Sequence, residues 1–499
     1  MFFTSLDFEM IKENIVAAIK SKNMEYPNSP FNPPSIFPEF KDFKQYNLQT
    51  DISNDIYHSV RELLHDLELD KENFGTSHRN PLWNMIQPGQ HVVIKPNLVF
   101  HEHPLGDKEW VLSMISHASI IRPIIDYILL AAWGEAKITI CDVPIQSANW
   151  EKMIEINGLV DLIDFYKKKS VHINLLDLRF EIWIANKENL IIERNYKERD
   201  PLWYSVVDLW HKSALMPIIK YYNKFEITDY WSWTVPKHHN KEKNEYFVPN
   251  TILDADLFIN LPKLKTHRKA GITFAMKNLI WINWDKSWLA HHRRGSKSSW
   301  WDEYDRFHIF TWLKSNGVSY LKKSKIWIQI ARVLYRAYKY IILKWKEPKA
   351  VYMQWNPTHI SEWSWYGNDT IRRCIKDLNN IIFFADKKWV LHDKPQRKYL
   401  CIGDGILAWD KEWPMEQTPK KAGIILWWFN PVYIDRVAAS IMGFDYKKIP
   451  QIVESFKNEY FNLCNHPEKD ITWRGNIPDI KNINLRFIPS ANWRNHIEI

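Results

Sequence analysis

Glycine is scarce in this 499-residue chain: 14 residues, with no GxGxxG and no GxxxxGK[ST] run anywhere. The glycine-rich loops that cradle nucleotide phosphates are therefore absent as sequence motifs. Low glycine also argues against repeat-rich β architectures. Cysteine is scarcer still. Cys141, Cys374, Cys401 and Cys464 lie far apart with no CxxC pair, a spacing that excludes a ferredoxin-type cluster or a zinc ribbon and fits a reducing compartment. No run of about 18 uncharged apolar residues occurs, so no ordinary membrane span is expected. The opening residues carry Asp7 and Glu9 and lack a secretory apolar core. Nucleophile-elbow, HExxH and cysteine–histidine signatures are missing as well. The expected location is the cytoplasm.

What is present is a globular composition, 45% hydrophobic and 25% charged, with no disordered signature. The length calls for two domains or one large elaborated domain. A net charge of +9 favours anionic partners without choosing among phosphorylated metabolites, nucleic acid and membrane surface. The charge is concentrated. Between Leu261 and Trp301 lysines, arginines and histidines crowd together against a single acid, Asp285. A solvated surface usually intersperses both signs, because like charges repel. This cluster follows a short apolar run, Asp256 to Asn260, that reads as a buried strand.

Apolar patterning predicts an α/β fold: a mostly parallel sheet with flanking helices, an aromatic β-rich insertion and a basic helical insertion. Strands are expected at His91–Lys95, Ala136–Asp142, Val171–Asp177, Asp256–Leu264, Lys398–Asp404 and Ala422–Phe429. Helices are expected at Ile120–Trp133, Trp150–Lys169, Thr370–Phe384 and Val432–Met442, the last stopped by Gly443. Strand, helix, strand at this spacing is the βαβαβ pattern. Residues 1–88 read as a peripheral helical segment, with a helix-like opening from Phe8 to Ile19 and an amphipathic helix near Ile52 to Leu69. The first part of the core spans 89–305, interrupted at about 180–250. A basic amphipathic insertion covers 306–362, the second part of the core 363–449, and a C-terminal tail 450–499.

Four expected strands end in polar groups: Lys95 with Asn97, Asp142, Lys263 with Lys265 and His267, and Asp404. In an open parallel sheet those ends share one edge, and ligands bind in the crevice there. Each alone reads equally well as a solvent-facing charge, and the strand order is not legible. By chemical type, Lys95, Asn97, Lys263, Lys265, Lys277, Asn278 and Arg293 are candidates to hold a substrate anion by charge-assisted hydrogen bonds. His267, His291, His292 and Asp404 are candidates for proton transfer and orientation. Asp142, Asp302 and Glu303 are candidate ligands for magnesium beside a substrate phosphate, although they serve equally well as helix caps or arginine partners.

The segments Val93-Ile-Lys95-Pro-Asn97, His117-Ala-Ser119 to Asp142, and Asp256 to His267 resemble the domain-of-unknown-function 362 family, together with Thr273–Asn278, His291-His292-Arg293, Asp302-Glu303-Tyr304, Gly367–Thr370, Asp377–Asn379 and Gly403–Ile406. The resemblance runs from about His91 to Ile449 and implies a shared α/β fold without a settled activity. Some relatives carry ferredoxin-like cysteine clusters. This chain does not, so no iron–sulfur cluster is expected. The long form with Gly367–Thr370 is similar to members associated with bacterial surface-polysaccharide biosynthesis. A looser similarity, confined to the Arg122-to-Asp142 unit, is to the N-terminal domain of lactate racemase.

Together these readings lead to the expectation of an enzyme acting on an anionic small molecule: a phosphorylated sugar, a sugar nucleotide or a carboxylate. The cofactor is unknown, with magnesium the candidate. The alternative is a binding protein without catalysis, directed to nucleic acid or a membrane surface. Nucleic acid is disfavoured because the tryptophans are spread through the whole chain and no nucleic-acid motif occurs. For the membrane, residues 314–346 hold nine lysines or arginines and no acid. Lys322, Lys325, Arg332, Arg336 and Lys339 recur at helical steps beside Ile326, Trp327, Ile330 and Val333. Such a helix packs its apolar face either on the core or at the anionic inner face of a membrane.

Overall fold

The computed structural model describes residues 14–41, 43, 49–103, 106–185, 191–196, 199–227, 232–299, 301–305, 312, 316–317, 365–412, 416–457, 459–477 and 483–499. The expected basic insertion at 306–362, with its helix at 314–346, falls almost wholly outside the described residues.

The sheet forms where apolar runs are short and bounded by turns. Its strands are β1 (Ile15–Lys20), β2 (His91–Pro96), β3 (Lys137–Asp142) and β4 (Ile173–Asp177). Three antiparallel pairs lie outside it, in the aromatic segment and just beyond: β5 (Glu181–Ala185) with β6 (Ile191–Tyr196), β7 (Tyr204–Asp208) with β9 (Glu245–Pro249), and β8 (Phe225–Glu226) with β13 (His292–Arg293). The main sheet resumes with β10 (Leu257–Leu261), β11 (Lys263–His267) and β12 (Gly271–Thr273). It is completed by β14 (Lys398–Glu412), β15 (Glu416–Trp428) and β16 (Thr472–Arg474).

The strand order is β16-β1-β15-β14-β10-β2-β3-β4, with β11 continuing alongside β14 and β12 pairing to β11. From β14 through β10, β2, β3 and β4 every neighbour is parallel. The architecture is α/β with a mostly parallel central sheet. β2 and β10 are buried along their whole length, which is why they read as continuous apolar runs and not as an alternation. The helices Asp55–Asp66 and Ala118–Ala131 pack against each other, while a second group, Thr370–Phe384, Pro431–Met442 and the short Ala275–Asn278, packs together. Trp409, Trp427, Trp428 and Trp493 are fully buried in the core. All four cysteines are buried and free.

Two expectations are corrected at the chain ends. Ile15–Ile19, expected to be the end of a helix, is part of β1, paired antiparallel to β15 and parallel to β16. A five-residue apolar run has no period of its own, and the exposed edge of β15 decides its fate. The segment before residue 88 is also not peripheral. Glu39 is buried with Arg61 at 2.8 Å and accepts a hydrogen bond from Tyr127, while Arg122 donates to the Pro30 carbonyl. The C-terminal residues likewise supply β16.

The expected helix Trp150–Lys169 is two helices, Trp150–Ile156 and Leu159–Lys168, divided at Gly158. That glycine has φ +84°, and a Cβ there would meet the Phe31 ring at 2.6 Å. Among the described residues no single helix is long and apolar enough to cross a membrane.

Candidate functional site

β2 runs on through helices to β3 and then β4 on one side, whereas β10 and β14 lie on the other side of β2. The chain therefore reverses direction between β2 and β10, and the crevice at the carboxyl ends of these two strands is a topological switch point. Asn260 lies in register with Lys95 and Leu261 with Pro96, so the polar residues that follow emerge side by side. Lys263 lies in register with Asp404 of β14. The convergence expected from the sequence is present for Lys95, Asn97, Asp142, Lys263, Lys265 and Asp404. The short helix Ala275–Asn278 adds Lys277 and Asn278.

Two of the lysines are neutralised. Lys95 sits 2.7 Å from Asp142, whose carboxylate also accepts the backbone N–H groups of Leu98 and Val143. Lys263 sits 3.0 Å from Asp404. Asp404 also accepts from the Tyr26 hydroxyl at 2.8 Å and from the His117 and Ile406 amides. With both oxygens taken, Asp404 ties the N-terminal segment, β11 and the start of helix Ala118–Ala131 together. Gly403 beside it has no room for a side chain, because a Cβ would lie 1.9 Å from the Phe274 ring. Asp142 and Asp404, expected at a metal or in catalysis, are thus lysine partners.

Three further lysines of this cluster, Lys265, Lys277 and Lys286, are buried with no carboxylate within ion-pair distance among the described residues. Lys265 donates to the Asn97 side-chain oxygen and to the Met114 carbonyl at 2.9 Å. Lys286 donates to the Asn283 carbonyl at 2.7 Å. Lys277 has neither a hydrogen bond nor an ion pair among the described residues, and its ammonium lies 5.7 Å from the centre of the Trp281 ring. Lys286 flanks the same ring at 4.9 Å. Burial, then the charge of Lys95, pushes Lys277 down to about 7. Burial, then Lys263 and Lys277, holds Lys265 well below the usual lysine range. Lys286 is held down by burial as well.

Asn278 accepts from Asn97 at 2.7 Å and from Lys95 at 3.3 Å, and donates to Asn260. This amide chain fixes Lys95 and Lys265 relative to each other. Asp435, on the helix Pro431–Met442, accepts the Ala275 and Met276 amides and so anchors the start of the helix that carries Lys277. Asn379 donates to the Met276 carbonyl from the helix Thr370–Phe384.

His267 and His291 are partly exposed and border this cluster. Nδ1 of His267 accepts the Lys269 and Ala270 amides, so its neutral form carries the proton on Nε2. Nδ1 of His291 lies 3.5 Å from the Lys269 ammonium. Burial, then neighbouring cations including Lys277 and Lys269, holds both imidazoles well below their usual range. Both stay neutral at physiological pH and are able to accept protons.

Arg293, Asp302 and Glu303 belong elsewhere. The Arg293 guanidinium lies 3.5 Å from Asp302 and 3.4 Å from Asp369. Asp302 accepts the amides of Arg293, Asp369 and Thr370 and the Thr370 hydroxyl, closing the start of the helix Thr370–Phe384. Glu303 accepts the Gly295 amide. His292 lies in β13, opposite Glu226 of β8. Among the described residues no group of three or more His, Cys, Asp or Glu side chains comes together as a metal site. Sequence reasoning missed Lys286, whose neighbour Asp285 makes it look paired; Asp285 instead accepts from Ser287. It also missed Tyr26 and Asp435, which carry no local signal.

A crystal structure of a Thermotoga maritima protein matches 73% of this chain and 53% of its own, at 10% identity and a TM-score of 0.31. The chain thus spans about half the length of that protein. None of the curated proteins matches. Residues 216–440, which carry Lys263, Lys265, His267, Lys277, Lys286, His291 and Asp404, match the model of the domain of unknown function DUF362, which supports the family that the sequence motifs resemble.

Proposed function

We propose that the chain is an enzyme acting on an anionic small molecule bound at the carboxyl ends of β2 and β10. The observation that carries this reading is the group of three buried lysines, Lys265, Lys277 and Lys286, without carboxylate partners at the switch point. Burying an ammonium without a counter-ion destabilises a fold, so such a group is retained where a ligand supplies the missing charge. Lys265 and Lys286 hold the anion, and Asn97 and Asn278 set their spacing. His267 and His291 at the border move a proton to or from the substrate. A phosphorylated sugar or sugar nucleotide fits this chemistry, and the Gly367–Thr370 segment supports a place in surface-polysaccharide assembly. The basic stretch 314–346 supports attachment to the inner face of an anionic membrane, measurable by co-sedimentation with anionic against neutral liposomes.

Thermal-shift screening against sugar nucleotides, sugar phosphates and acidic metabolites, with and without magnesium, tests the reading. Hits are expected among phosphorylated compounds. Lys265→Met is the diagnostic variant, because Lys263 is bound into an ion pair whose loss would disturb the fold. A hit that binds Lys265→Met unchanged overturns the site.

A further inference from the structure

Building on the strand-end crevice as an anion site, we propose that it takes a phosphoryl-type group carrying at least two negative charges, and that its unpartnered buried lysines, Lys277 among them, gain protons as this group enters. The charge count separates this ligand class from a simple carboxylate. Lys95 and Lys263 are already balanced by Asp142 and Asp404. Lys265, Lys277 and Lys286 are not; protonated, they offer three charges, of which one carboxylate matches one and a dianion matches two. The donors also arrive from three elements: β11, the helix Ala275–Asn278 and the turn at Lys286. A tetrahedral anion presents oxygens in several directions to such donors, while a carboxylate presents two in one plane.

Lys277, with no hydrogen bond among the described residues, has the least to hold its charge. Around it are Lys95 from β2, Lys265 and His267 from β11, Lys269 beyond it, Lys286, and His291 before β13. The nearby carboxylate of Asp142 is held by Lys95, and Asp435 caps the far end of the helix that carries Lys277. Without ligand, the charged neighbours of Lys277 among the described residues are cations or carboxylates already held, and at pH 8 it is mostly neutral, since burial and Lys95 push it down to about 7; burial holds Lys265 and Lys286 well below the usual lysine range too. An entering dianion reverses the sign of that surrounding field. The lysines then bind protons drawn from the buffer and become cationic donors. The two histidines start from well below 6.5, so at pH 8 they remain spectators.

Isothermal titration calorimetry on the full chain at about pH 8 tests this, in two buffers of different ionisation enthalpy. The probes are sulfate, a dianion that does not itself titrate there, and acetate. Sulfate is expected to bind at least about tenfold more tightly than acetate, with a net uptake of protons. Lys277→Met should reduce the uptake and weaken sulfate about tenfold or more, and Lys265→Met should weaken sulfate as well. Circular dichroism confirms that both variants are folded. Equal affinity for acetate and sulfate, or proton uptake that is the same in Lys277→Met as in the parent, refutes the inference and leaves an anion site of another kind. Absence of binding by either anion at low salt refutes the anion site itself.

Discussion

Replacing Lys277 by methionine keeps an unbranched side chain of similar length and removes the ammonium. The folded protein holds Lys277 at about 7 against an ordinary 10.5, a difference of about 3.5 pH units. Each unit is worth about a factor of ten in the folding equilibrium, so the buried charge costs on the order of 5 kcal/mol. The sign follows from the proton count. Between about pH 7 and 10.5 the unfolded chain holds a proton on this lysine that the folded chain does not, so stability rises with pH across that window. Below pH 7 both states are charged and the full penalty applies. Above 10.5 both are neutral and it vanishes. Lys277→Met is therefore expected to be more stable than the parent at pH 6, by several kcal/mol, with the gap shrinking steadily toward pH 10. The lost contact with the Trp281 ring offsets this by about 1 kcal/mol at most. Urea unfolding of both proteins at pH 6, 8 and 10, compared at equal slope, measures it. A variant less stable than the parent at pH 6, or a gap that does not change with pH, would show that Lys277 is solvated or partnered and that the charge argument fails.

Four further outcomes follow from the same geometry. Burial pushes Asp435 up to about 8, above its ordinary 3.8, so its contribution to stability is full below about pH 4 and is lost as pH rises to 8. Asp435→Asn, whose one oxygen keeps the Ala275 amide and gives up that of Met276, should gain on the parent between pH 5 and 8, and equal urea midpoints at both values would contradict this. Lys263→Met leaves Asp404 buried without its cation and should destabilise by about 3–5 kcal/mol, most of it recovered on adding Asp404→Asn, as a double-mutant cycle would show. Gly158→Ala places a Cβ at φ +84° against Phe31 and should lower stability by more than about 1 kcal/mol in thermal unfolding. Arg293→Gln should lower the melting temperature while leaving sulfate affinity unchanged, since its guanidinium serves Asp302 and Asp369; an affinity loss matching that of Lys265→Met would place it in the site after all.

Much of the core was legible because each central strand is an apolar run closed by a polar residue. Val92–Ile94 before Lys95 and Leu257–Leu261 before Lys263 need no long-range information to be recognised. The order of the strands was not legible, since nothing local says that β10 returns to lie beside β2. For the same reason Ile15–Ile19 misled: the run suits either periodicity, and the choice is made by β15, about 400 residues away in sequence. The candidate site was half legible. Residue type marks a cation, but whether it has a counter-ion depends on residues remote in sequence. Arg293 and Lys277 look alike in the chain, yet Asp302 and Asp369 fold onto one and, among the described residues, no acid pairs with the other.

That difference locates function better than the density of charge does. Two clusters grow out of the same basic stretch. Around Arg293 the acids Asp302 and Asp369, together with Arg372 and Arg373, form a network in which opposite charges face each other at the start of a helix. Such a network is satisfied within the fold and asks for nothing more. Around Lys277 the acids stop at Lys95 and Lys263, and three further ammonium groups are buried against amides, carbonyls and indole rings. Apolar residues of similar size in those positions would make a more stable protein. A chain that keeps the lysines at the edge where parallel strands end, beside two imidazoles that remain neutral, carries an electrostatic cost that an external anion would relieve. That cost, and not the local density of basic residues, is the ground for proposing the β2–β10 edge as the site.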